Sequence, residues 1–197
     1  MLPTLALPGS HDPGNSKPGA PPAPGSLLQA AELKILHVVQ DHRTPEGDAW
    51  ANRLDARFGL PVWFHELGEL RQSHGIFAAA KGAALLTGVM ATNTVITELA
   101  KRKFDRERPY DADPTIIPVV PRPHDASFPS GHTSNAFAAA RVFSLLEPER
   151  TVELYKLATE VAASRVYAGV HYPTDVIAGA LIGTAVAQKF IDKLSGH

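Results

Sequence analysis

No cysteine occurs among the 197 residues, so neither a disulfide framework nor a cysteine-based metal site can be built. An excess of either charge is also missing: 19 lysines and arginines face 20 aspartates and glutamates, a formal net charge of −1. A nucleic-acid binder needs a basic field, and none is present. No segment alternates apolar and polar residues with the period of a strand, and there is no internal repeat. The start, "MLPTLALPGSHDPG", lacks a basic leader, and its prolines interrupt any apolar run, so no secretory signal is read there. A processed periplasmic or secreted protein is expected, with a cytoplasmic one as the alternative.

Long apolar runs are scarce too. The best candidate, Ile76–Leu99, carries Lys81, Asn93, Glu98 and four threonines, all costly in a bilayer. The run Val176–Ala187 is too short to span. With 44% hydrophobic and 20% charged residues, both read as core helices of a soluble protein without a transmembrane segment. The small residues of Ile76–Leu99 suit close helix crossings, and a homodimer contact is one use for them.

What is present is helical texture. Residues 1–25 hold seven prolines and four glycines and read as a disordered tail, leaving 26–197 as a single domain. From a cap at Ser26, the residues Leu28, Ala31, Ile35, Leu36 and Val39 fall on a helical stripe. Further helices are predicted near 46–58, 62–73, 76–104, 130–146, 148–168 and 173–194. Residues 108–128 carry five prolines and cannot form one regular element. The expected fold is all-α, a bundle of about seven helices.

Three clusters carry chemistry. In "ASFPSGHTSNAF", Ser130 caps a helix whose unpaired N–H groups suit an anion, and Gly131 lets a ligand approach the backbone. In "KRKFDRERPY", Lys101 and Arg108 stand seven residues apart, two turns of a persisting helix, and would share a face suited to phosphate oxygens. In "SRVYAGVHYPTD", His171 lies in a tight connection, and Asp175 can reach back to fix its tautomer. Arg165 ends the preceding helix. Cations, helix donors and two histidines, His132 and His171, form an inventory for phosphoryl transfer without a metal.

The full pattern, Lys101 with Arg108–Pro109, then Pro129–His132, then Ser164–Arg165 with His171 and Asp175, closely resembles the type 2 phosphatidic acid phosphatase family. That superfamily includes bacterial non-specific acid phosphatases, lipid phosphatases and vanadium-dependent haloperoxidases. The resemblance implies a site between core helices. His171 would be the nucleophile forming a phosphohistidine, oriented by Asp175, and His132 the general acid. Lys101, Arg108, Ser130, Gly131 and Arg165 would hold the phosphate. The implied function is a metal-independent phosphoric monoester hydrolase of acid phosphatase type, needing no cofactor. Its substrates would be small organic phosphates, lipid phosphates or diphosphates, with orthovanadate as inhibitor. A vanadate-dependent haloperoxidase is the alternative. The third motif reads more like the lipid-type branch than like the secreted acid phosphatases. Arg122 and His124, in the proline-rich loop, are candidate substrate contacts. Neither the pair His37 and His42 nor the pair His65 and His74 is expected to bind a metal.

Overall fold

A computed structural model describes residues 24–57 and 60–196, and among them every regular element is helical. The order is α1 (Pro24–Asp41), α2 (Pro45–Arg57), α3 (Leu60–His74), α4 (Ile76–Phe104), a short α5 (Pro109–Ala112), α6 (Gly131–Leu146), a 3-10 turn (Pro148–Arg150), α7 (Thr151–Tyr167) and α8 (Pro173–Ser195). The expected all-α bundle is what the chain builds. Of the expected tail, 1–23 lie outside the described residues, while Pro24 and Gly25 already belong to α1. Ser26 therefore sits inside the first turn rather than capping it.

Helix α6 is the hub, packed by α3, α4, α7 and α8. Its inward residues are mostly small, with Ala136, Ala138, Ala139 and Ala140 buried, so neighbouring helices can come close. Val142 and Phe143 add bulk at its far end, and burying each contributes about 1.5–3 kcal/mol. Leu85, Leu86 and Val89 of α4 and Leu154, Ala158 and Val161 of α7 complete this core. Asn93, fully buried in α4, donates to Asn135 Oδ1 (2.7 Å) and accepts from Ser134 Oγ (2.8 Å), which fixes the register of α4 on α6.

Two small residues of α4 are used inside the chain. A β-carbon on Gly82 would meet Leu70 at 2.8 Å, and one on Gly88 would meet Phe190 at 2.4 Å. These two glycines pack against α3 and α8, while Ala80 and Ala84 of the same run are exposed, so nothing here supports the homodimer contact.

One expectation about length is corrected, and one about solubility is not confirmed. The run Val176–Ala187 is the middle of α8, a helix of 23 residues, and not a short segment. The segment Ile76–Ala112, which is α4 continued through α5, and helix α8 are long and apolar enough to cross a membrane by length and composition, and each has only 33% of its most apolar window buried. A soluble core helix would be mostly buried, so the expectation of a soluble chain without a transmembrane segment is not supported.

Candidate active site

Three chain breaks bring the motifs together. Helix α4 ends at Asp105, whose left-handed backbone (φ 41°) sends the chain off the helix axis. Lys101 and Arg108 therefore do not share a helix face, as their spacing suggested, because the helix does not persist between them. Arg108 instead precedes α5. Ser130 caps α6, its Oγ accepting from Thr133 N (3.4 Å) and Thr133 Oγ1 (3.0 Å). Gly169, at φ 72°, closes α7, and Pro173 opens α8, leaving His171 in the connection.

The product is a cavity of about 270 Å³ walled by Lys101, Arg108, Arg165, His171 and the Gly131–His132 turn of α6. A β-carbon on Gly131 would meet nothing within 4 Å, so the opening turn of α6 faces space. Ser130 does not line the cavity. It is buried, and its hydroxyl serves the helix cap.

His171 is 3% exposed, with Nδ1 3.4 Å from Asp175 Oδ2 and Nε2 3.3 Å from Arg108 Nη1. Burial, opposed by the hydrogen bond to Asp175 and reinforced by Arg108, pushes its imidazole down to about 4. Burial and then Arg165 push His132 down to about 4 as well. Both rings are neutral above that pH.

Each cation already holds a carboxylate. Asp125 bridges Lys101 Nζ and Arg108 Nη2, the latter at 2.7 Å. Its partial burial favours the neutral acid, but Lys101 and Arg108 beside it hold the carboxyl down at about 2. Arg165 Nη1 donates to Asp55 Oδ1 at 2.5 Å. Asp55 was not visible from spacing. The one signal is that it stands one turn after Ala51, which is fully buried, and so shares the inward face of α2. Asp125, in the proline-rich loop, lines the cavity. Arg122 and His124 are exposed and do not line the cavity, and Arg122 lies over the Tyr110 ring at 5.2 Å.

Elsewhere, His37 pairs with Asp113 (3.0 Å) and His42 with the Val38 carbonyl (2.8 Å). Among the described residues, one group could hold a metal ion: His74, Glu147 and Glu149. Glu147 there is already bonded by Arg150 Nη1 (3.1 Å) and Ser73 Oγ (2.9 Å).

The PAP2 superfamily model matches residues 82–192, which include all three clusters. An undecaprenyl-diphosphatase of Sulfolobus acidocaldarius is 38% identical over 95 residues, 47% of this chain and 46% of that protein. A lipid A 1-phosphatase of Rhizobium etli is 34% identical over 116 residues, 57% of this chain and 50% of that protein. The chain spans about half the length of these curated relatives. The crystal structure of Aquifex aeolicus LpxE superposes with a TM-score of 0.70 at 28% identity, covering 81% of this chain and 94% of that one.

Proposed function

The chain belongs to the PAP2 superfamily, and we propose that it is a metal-independent phosphatase that removes phosphate from a lipid carrier through a phosphohistidine at His171. The observation that carries this is the two-sided environment of His171. Its Nδ1 meets a buried carboxylate, and its Nε2 opens beside Arg108 in a cavity of cations.

Asp175 accepts the hydrogen bond from Nδ1–H, which leaves the Nε2 lone pair on the cavity side, beside Arg108. Lys101, Arg108 and Arg165 neutralise the non-bridging oxygens. Nε2 attacks phosphorus, the ester P–O bond breaks, and His132 gives its proton to the leaving oxygen. Water then loses a proton to His132 as it attacks the phosphohistidine, releasing phosphate and restoring His171. General acid–base help of this kind supplies about 10²–10⁴-fold in rate. His132 is held low partly by Arg165, and a bound phosphate dianion offsets that charge, so the acid form becomes available when substrate is present.

A lipid carrier is supported by the exposed apolar side chains of the two long helices. Phe77 is 90% exposed, and Val95 and Leu99 on α4 and Ile177 and Leu181 on α8 stand out in the same way. The names of the relatives, lipid A 1-phosphatase and undecaprenyl-diphosphatase, agree with that class.

The test is phosphate release in detergent micelles with a chelator present, comparing lipid phosphates and isoprenoid diphosphates with sugar phosphates. Faster cleavage of lipid substrates is expected. Preference for sugar phosphates would overturn the lipid assignment, and halide oxidation without ester cleavage would replace the whole reading with a vanadate-dependent haloperoxidase.

A further inference from the structure

Asp175 is fully buried, and every face of its carboxylate is engaged. Oδ2 accepts from Ser127 Oγ (2.5 Å) and Tyr172 N (2.9 Å) besides His171, and Oδ1 accepts from Arg106 Nη1 (2.6 Å). The other guanidinium nitrogen of Arg106 donates to Glu32 Oε2 at 2.5 Å. Glu32 belongs to α1, is 3% exposed, and takes the Thr174 amide (2.8 Å) and hydroxyl (2.7 Å) on Oε1. The guanidinium carbon lies over the Tyr172 ring, 3.8 Å from its centroid. One cation is thus shared by two buried carboxylates, one of which touches His171.

We propose that Glu32 and Arg106 are positioning residues, which set through Asp175 the orientation and basicity of His171. The proposal rests on His171 being the nucleophile. Glu32 lies outside residues 82–192, so a helix beyond the family-matched segment completes the catalytic apparatus.

The physical case is one of shared charge. With Arg106 paired to Asp175 alone, the guanidinium would draw the carboxylate's charge away from the imidazole. Glu32 takes part of the cation and returns that charge to Asp175. Burying three charges gains little net stability over an apolar packing of the same volume, so the triad is not explained by stability alone. Nor is Glu32 needed to dock α1. Leu36 is buried beneath it, and Gln40 bonds the Thr115 carbonyl (2.9 Å) and Ile117 amide (2.7 Å).

The two residues carry opposite charges, so their loss acts in opposite directions on His171. Glu32→Gln removes a negative charge and disfavours the imidazolium, while Arg106→Gln removes a positive charge and favours it. The other charged groups around His171 stay in place: Asp175 at the start of α8, Arg108 before α5, Lys101 on α4 and Arg165 on α7. His132 of α6, Asp55 of α2, Glu98 of α4 and the loop residue Asp125 line the same cavity and are likewise unchanged.

The experiment titrates ¹⁵N-histidine-labelled full chain in micelles and measures kcat and KM on the same samples. The His171 midpoint is expected to move down in Glu32→Gln and up in Arg106→Gln, each by about one unit. The acid limb of kcat/KM should move with it, kcat in Glu32→Gln should fall about tenfold with KM nearly unchanged, and Glu32→Asp should recover part of the loss. Unmoved midpoints, or shifts of the same sign in both variants, overturn the proposal even if melting temperatures fall. A wild-type chain that cleaves no phosphate ester, yet shows the opposed shifts, supports this coupling and sinks the phosphatase reading alone.

Discussion

Gly183 of α8 rests directly on the backbone of Ser134 in α6. A β-carbon there would stand 2.0 Å from the Ser134 carbonyl oxygen. One turn earlier, Gly179 meets the Ser130 carbonyl in the same way, at 2.6 Å, and the Ser130 amide donates to the Asp175 carbonyl at 3.0 Å. The depth of this contact sets how closely the Ser130–His132 turn approaches Asp175. Gly183→Ala must push backbone against backbone, with no flexible side chain to yield. A loss of about 1–3 kcal/mol or more is expected, together with a drop in turnover. Chemical denaturation and initial rates on one preparation check it. An unchanged midpoint would mean the helices have slack at this crossing.

The phosphohistidine is the next testable point. Rapid quench of the wild-type chain should trap acid-labile phosphate on the protein, absent in His171→Ala. A chelator should leave the yield intact, since cations and helix donors take the roles a metal would fill. Inactivation by chelator, reversed by a divalent ion, would contradict this. His132→Ala should slow substrates with poor leaving groups by about 10²-fold or more while sparing aryl phosphates. Equal losses on both would assign His132 to phosphate positioning.

Asp125 occupies Lys101 and Arg108 as a bound phosphate would, so carboxylate and ligand compete for the same cations. The side chain is 48% exposed, which leaves it free to swing out and limits the energy at stake. Asp125→Ala should therefore tighten inhibition by inorganic phosphate and orthovanadate, roughly threefold. Vanadate should be competitive with substrate, as a mimic of five-coordinate phosphorus on His171. Weaker inhibition in the variant would show that Asp125 instead holds the two cations in place.

Both active-site histidines are held at about 4 in the folded chain, against an ordinary value of 6.5. The unfolded chain binds protons first, so the stability these buried neutral rings contribute is present above about 6.5. It is lost as pH falls through 4. The melting temperature of the ligand-free protein should fall across that window. His132→Asn should flatten the fall, because Asn takes up no proton. An equal slope in both proteins would mean that other groups drive acid unfolding.

The sequence by itself determined the local pieces. Ser130 at a helix start, Gly169 and Pro173 around a tight connection, and His171 four residues before Asp175 are written in short-range backbone preferences, which act over one or two turns. For the same reason the helical segments and the family pattern were legible. Tertiary structure decided the partners. Lys101 and Arg108 converge on Asp125 because α4 stops at Asp105, and the spacing assumed a helix that continues. Asp55 finds Arg165, and Glu32 finds Arg106, across 110 and 74 residues of chain, where only the packing of α1, α2 and α7 sets the distance. Exposure was decided there as well. The apolar residues of α8 follow a helical period whether they face a core or a lipid, and only the packed bundle leaves Ile177 and Leu181 on its outside.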